Sequence, residues 1–168
     1  MTGWSSSSER RPGRQAEGQT VNGIAVLLLA GALAAVIRPA WADTLETTLT
    51  RFGLLGHWAV DCGAAPSIEN PHGLYRMLSP HEAELRYDYG PLYEPQIHII
   101  TFAEPADGNR LRIKHIDRRD GSSLEATIQK LADRIQNVSV VESDGKIIVK
   151  DGIYTLNGRP AVWLERCD

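Results

Sequence analysis

The chain has 168 residues, of which 42% are hydrophobic, 23% charged and 7% aromatic, and its formal net charge at pH 7 is −3. This composition is typical of a globular protein, and it excludes collagen-like, coiled-coil and wholly disordered chains. The length is sufficient for one modest hydrophobic core and too short for two ordinary domains.

The first 42 residues have the organisation of a cleavable export signal. A polar stretch with three arginines precedes an uncharged apolar run at residues 23–37. This run is shorter than the roughly 20 residues that an α-helix needs to cross a bilayer. Ala40 and Ala42 supply the small residues at alternate positions that signal peptidase requires, which predicts cleavage before Asp43. The alternative is an uncleaved membrane anchor.

Cleavage would leave one β-rich domain at residues 43–168, located in the periplasm or secreted, with no stable membrane span. The removed segment contains four Arg and two Glu, so the formal charge of the remaining chain becomes −5. A nucleic-acid-binding protein normally has a basic surplus. We therefore expect no nucleic-acid partner.

One short helix is predicted at the start of this domain. Residues 43–46, Asp-Thr-Leu-Glu, have the form of a capping box. Leu45, Leu49 and Phe52 recur at helical spacing, and Gly53 supplies a stop signal.

The rest of the chain has the alternation and turn residues of short strands. Strands are predicted near residues 58–62, 74–78, 84–89, 96–102, 110–116, 124–130, 135–141 and 146–154. Asp-Gly pairs at 107–108, 120–121 and 144–145 place glycine where tight hairpins need a positive φ. In the strand at 110–116, basic residues alternate with Leu111, Ile113 and His115, which indicates one solvent-exposed face and one buried face.

Residues 124–135 are the ambiguous stretch, because their apolar residues also recur at helical spacing. We expect two strands with a turn near Ala132 and Asp133, because the Asp-Gly turns on both sides indicate a regular series of hairpins. The predicted fold is all-β with one short helix: a small antiparallel meander barrel or sandwich of about eight strands. A closed barrel removes exposed strand edges.

The two cysteines of the chain, Cys62 and Cys167, are expected to form a disulfide, because export leads to an oxidising compartment. A bridged Cys62 is not available as a nucleophile. Each cysteine follows a tryptophan by four residues, at Trp58 and Trp163. This repeat suggests that the two segments lie parallel and in register. Trp58 would then lie beside Trp163, and Asp61 would pair with Arg166.

Three segments of the sequence form one pattern. They are LGHWAVDC at 55–62, Asn-Pro-His at 70–72 and Trp-Leu-Glu-Arg-Cys at 163–167. The pattern resembles a group of small exported proteins of proteobacteria, which implies export but no particular activity. Gly56-His57-Trp58 after a short helix is also similar to the Gly-x-Trp opening of lipocalins. That resemblance implies an eight-stranded barrel for apolar ligands, with Arg159 or Arg166 packed over Trp58. Because the chain is shorter than a typical lipocalin, it does not imply a roomy cavity.

The best candidate for a binding surface is the loop at residues 63–72 with the tyrosines around Gly90 and Pro91, since barrel loops commonly carry binding residues. The predicted ligand-binding residues are Trp58, Asn70, His72, Tyr87, Tyr89 and Tyr93. The five histidines lack HxH or HxxxH spacing, so neither a metal site nor a cofactor is expected.

The leading functional prediction is a non-enzymatic binding module for an amphiphilic small molecule, an envelope component or a protein. The alternative is a small hydrolase whose site, at Asp61, Glu82 and His72, forms only in the fold. A purely structural role in the envelope is a third interpretation.

Overall fold

The structure is a computed structural model that describes residues 43–167. The predicted export signal therefore lies outside the described residues. One helix, α1 (Leu45–Phe52), precedes ten strands. They are β1 (Gly56–Ala59), β2 (His72–Ser79), β3 (Glu82–Asp88), β4 (Gln96–Pro105), β5 (Arg110–Asp117), β6 (Ser123–Leu131), β7 (Arg134–Glu142), β8 (Ile147–Lys150), β9 (Ile153–Tyr154) and β10 (Leu164–Arg166).

The strands form one antiparallel meander that closes on itself. Consecutive strands pair from β1 to β9, and β10 lies between β1 and β7. Strands β1 to β7 and β10 therefore make an eight-stranded barrel, and the short β8–β9 hairpin extends the sheet beside the second half of β7. The predicted all-β barrel is confirmed.

The turn chemistry read from the sequence is confirmed in the hairpins. Gly108, Gly121 and Gly145 have φ of 65°, 73° and 88°. Residues 124–135 form two strands as expected, with Ala132 at φ 53° in the tight turn between them. The single strand predicted at 146–154 is wrong, because Asp151 at φ 52° starts a turn that divides it into β8 and β9.

Helix α1 begins one residue later than the capping box predicts. The N-cap is Thr44, whose hydroxyl accepts a hydrogen bond from the Thr47 backbone N–H. Asp43 instead pairs with Arg51 at 2.6 Å. The helix ends at Gly53, as expected, with φ 71°.

Helix α1 closes one end of the barrel. Leu49, Leu54 and Trp58 are fully buried there. The helix N-terminus contacts the β2–β3 turn, where the Glu46 N–H donates to Pro80 O at 3.4 Å. At the helix C-terminus, Lys130 Nζ on β6 donates to Phe52 O at 3.0 Å. The loop between β1 and β2 therefore lies at the opposite end.

The two ends of the barrel chain meet, but not in the predicted register. Strand β10 runs antiparallel to β1 and places Arg166, not Trp163, opposite Trp58. The parallel Trp-to-Trp pairing is wrong, because a closed meander with an even number of strands must end antiparallel to its first strand. The predicted disulfide is present between Cys62 and Cys167, with a Cα–Cα distance of 5.4 Å.

Within residues 43–167, no helix combines the length and apolar character needed to span a membrane.

Candidate functional site

The barrel contains a cavity of about 630 Å³. Its wall is largely apolar and includes Leu85, Ile113, Ala126, Ile128, Ile135 and Val149. Ile68, Glu69 and Pro71 of the β1–β2 loop also line it. Because that loop lies opposite α1, the cavity extends to the end of the barrel that the helix leaves open.

Four of the five tyrosines of the chain line this cavity: Tyr75, Tyr87, Tyr89 and Tyr154. The rings of Tyr87 and Tyr89 stack with centroids 5.9 Å apart. The side chains of Tyr75 and Asn137 lie near the Tyr87 hydroxyl and both influence its pKa. Burial raises the pKa of Tyr75 to about 12 and the pKa of Tyr87 well above its ordinary value. The tyrosine hydroxyls are therefore uncharged hydrogen-bonding groups at neutral pH.

A histidine pair lies on the adjacent strands β4 and β5 and also lines the cavity. The rings of His98 and His115 meet edge to face with centroids 4.8 Å apart, and each residue is only 7% exposed. The Nδ1 atom of each ring is buried without a hydrogen-bond partner. Burial lowers both pKa values, that of His115 to about 4, so both rings are neutral at pH 7.

An ion pair borders the histidines. Asp117 lies opposite His98 in the β4–β5 register and is 5% exposed. Arg119 Nη2 donates to Asp117 Oδ2 at 2.9 Å, and the Arg119 backbone N–H donates to Asp117 Oδ1 at 2.9 Å. The side-chain hydrogen bond from Arg119 is the main reason that the pKa of Asp117 is lowered. The negative charge nearest the histidines is thus already neutralised.

The β1–β2 loop lies at the open end of the barrel, which we call the mouth. This loop is held in place by Asn70, which is 8% exposed. Its Oδ1 accepts from the Asp61 N–H at 2.8 Å, and its Nδ2 lies 3.1 to 3.2 Å from the carbonyl oxygens of Asp61, Ala64 and Ala65. Gly90 packs against the same loop at φ 93°, where a Cβ would lie 2.5 Å from Pro66 O. The mouth is therefore fixed by internal polar contacts and by a close backbone approach.

Of the six predicted ligand-binding residues, Tyr87 and Tyr89 line the cavity and the other four do not. Trp58 is fully buried near α1 and donates from Nε1 to Leu54 O at 2.8 Å. Asn70 directs its amide to the loop backbone. His72 is 2.9 Å from His57 Nε2 through Nδ1 and 3.1 Å from Ala64 O through Nε2. Tyr93 is 50% exposed on the outside of the mouth.

The three residues of the predicted hydrolase site do not come together. His72 begins β2, whereas Glu82 pairs with Ser79 at the other end of that strand. This separates them by about 20 Å along an extended strand. Asp61 lies in the loop that precedes β2, and Asn70 contacts the backbone N–H of Asp61 and the side chain of His72. In the described part of the chain, no group of three or more His, Cys, Asp or Glu could hold a metal ion.

His98 and His115 were not predicted from the sequence as site residues. The alternation on β5 indicated that His115 is buried, because it lies on the same face of the strand as Leu111 and Ile113. His98 alternates in the same way with Ile100 on β4. A histidine at a position reserved for apolar side chains indicates an interior polar site, because burying a polar group without a partner costs free energy.

Comparisons with known protein families, curated proteins and solved structures find no match to this chain.

Proposed function

We propose that this protein is an exported, non-enzymatic binding protein that takes a small amphiphilic molecule into its barrel. The observation that carries the proposal is the cavity of about 630 Å³. Binding sites for small molecules are typically about 300 to 1,000 Å³, mostly apolar, with a few placed polar groups. An apolar wall with histidine, tyrosine and amide groups fits that description.

Two features of the mouth support uptake of a ligand. The loop is fixed by Asn70 and by the close approach of Gly90 to Pro66 O, so the shape of the entrance does not depend on the ligand. A preformed site binds more tightly because less ordering entropy is lost on association.

The disulfide supports export. Cys62 and Cys167 join the loop after β1 to the end of the chain, and such bridges persist mainly in oxidising compartments. We therefore place the protein in the periplasm or outside the cell, after removal of residues 1–42. Intact-mass measurement of the protein from its native envelope tests this, and a chain that still carries residues 1–42 would contradict it.

A fluorescence titration with N-phenyl-1-naphthylamine, an amphiphilic probe that brightens in apolar surroundings, tests the binding proposal. We expect saturable binding by the wild type. Ala126→Phe should place a phenyl ring in the cavity and strongly weaken probe binding, because Ala126 is 3% exposed and lines the cavity. Thr127→Phe is the matched control, since Thr127 is the next residue along β6 and points to the other face.

The melting temperature of each variant shows whether it is folded. Equal probe binding by folded Ala126→Phe and Thr127→Phe proteins, or no saturable binding by the wild type, would overturn the proposal.

A further inference from the structure

We infer that His98 and His115 form a polar anchor inside the barrel, selecting an uncharged aromatic ligand that bears a hydroxyl group, such as a phenol. The inference rests on the proposed function and names the chemical class of ligand for the same cavity. It is carried by two neighbouring, buried histidines that line the cavity and whose Nδ1 atoms have no hydrogen-bond partner.

The unpartnered nitrogens point to a missing hydrogen-bonding group. Buried polar atoms are nearly always paired, since leaving one unpaired costs about 1 to 3 kcal/mol. Among the described residues, the Nδ1 atoms of these two histidines are the buried side-chain nitrogen and oxygen atoms that lack a hydrogen-bond partner. Hydrogen-bonding capacity therefore remains unused at His98 and His115, two residues that line the cavity that a ligand would enter.

The charge state of the pair selects the group. A neutral imidazole has one N–H donor and one bare nitrogen acceptor, so two of them together offer both functions. A hydroxyl is likewise one donor and an acceptor. A carboxylate needs donors alone and an ammonium acceptors alone, so each would use only half of the pair.

Neighbouring charges do not favour an ionic ligand at this point. The Asp117 carboxylate, opposite His98, is paired with Arg119, so this ion pair gives little net attraction for either an anion or a cation. Arg159 also lines the cavity, but it belongs to the exposed segment after β9, whereas the histidines are buried on β4 and β5. A desolvated charge beside the histidines would therefore be costly.

The surrounding rings favour a flat ligand. Tyr87 stacks on Tyr89 at 5.9 Å and meets His98 edge to face at 6.4 Å. His98 in turn meets His115 edge to face. Aromatic rings placed against such a wall gain from offset and edge-to-face contacts in addition to area burial.

Calorimetric titration with four probes of one ring size tests the inference: naphthalene, 2-naphthol, 2-naphthoate and 2-naphthylmethylammonium, at pH 7. We expect 2-naphthol to bind at least tenfold more tightly than each of the others. The double variant His98→Phe/His115→Phe should keep the ring shapes and lose that preference. His81→Phe, at an exposed histidine in the β2–β3 turn, is the matched control and should retain it.

The wild-type series decides the inference even if the double variant does not fold. Equal binding of naphthalene and 2-naphthol, or tighter binding of either ion, would overturn the hydroxyl anchor and leave the binding function standing. A preference for 2-naphthol that persists in a folded double variant would show that other residues supply the anchor. Absence of binding by all four probes would overturn both proposals.

Discussion

The guanidinium of Arg166 lies 5.5 Å from the centre of the Trp58 ring. It also donates to Gly53 O at 3.3 Å and to Leu55 O at 2.9 Å. One side chain of the last strand thus covers the tryptophan of the first strand and binds the segment that joins it to α1. Of the two arginines considered from the sequence, Arg166 occupies this position and Arg159 does not. Membership of the lipocalin family stays a prediction.

Replacing Arg166 should loosen this end of the barrel. We expect Arg166→Ala to lower the free energy of unfolding by about 1 to 2 kcal/mol, since it removes hydrogen bonds from a charged donor and a cation–π contact at a partly exposed site. Urea denaturation measures the change. Arg134→Ala is a matched control, because the Arg134 guanidinium lies 5.7 Å from the centre of the Trp163 ring in a similar cation–π contact. Equal effects of the two substitutions would show that the backbone contacts of Arg166 add nothing.

Reduction of the disulfide should destabilise the protein. Cys62 and Cys167 are 105 residues apart in sequence, and a bridge that closes so long a loop stabilises by about 2 to 5 kcal/mol. We expect the denaturation midpoint of the wild type to fall when a reductant is added. The variant Cys62→Ala/Cys167→Ala should show the lower midpoint with and without reductant. An unchanged wild-type midpoint after verified reduction would contradict the assigned role.

The mouth of the cavity should be sensitive to a single methyl group at Gly90. Gly90→Ala introduces a Cβ at 2.5 Å from Pro66 O, so we expect the loop to be displaced and the free energy of unfolding to fall by about 2 kcal/mol or more. Gly108→Ala separates this clash from the cost of a positive φ, because Gly108 has φ 65° and open space around it. Its cost should stay near 1 kcal/mol. Identical losses in the two variants would mean that the contact with Pro66 is unimportant.

Stability should decline with acid in a window set by His115. Its pKa is lowered to about 4 from 6.5, so between these values the unfolded chain takes up a proton that the folded chain does not. The free energy of unfolding should therefore fall by on the order of 3 kcal/mol as pH drops from 6.5 to 4, and be fully present above 6.5. His98, also lowered, acts in the same direction, whereas the lowered pKa of Asp117 acts only below about 3.8.

Urea denaturation across pH 4 to 7 measures this window. The slope should flatten in His115→Phe and persist in His81→Phe, the exposed control. A wild-type protein equally stable at pH 4.5 and pH 7 would contradict the burial of neutral histidines.

The barrel could be predicted because its signals are local. Asp-Gly turns fix the hairpins, and alternation on β5 separates Ile113 inside from Arg112 outside. The register of β10 against β1 could not be predicted, because it follows from closure of the whole sheet. No local pattern in the segment around Trp163 encodes it. The same limit applied to the site. Tyr87 was predicted because it belongs to the tyrosine cluster around Gly90 and Pro91, whereas His98 and His115 become a pair only when β4 and β5 align.

Isoleucine methyl NMR shows residue by residue whether a small molecule binds inside the barrel. On addition of 2-naphthol, the methyl signals of Ile113, Ile128 and Ile135, which line the cavity, should shift in a saturable manner. Signals of Ile99 and Ile116, which pair with each other on the outer face of β4 and β5, should stay in place. Shifts confined to the outer isoleucines, or no shift at any of the five, would contradict binding inside the barrel.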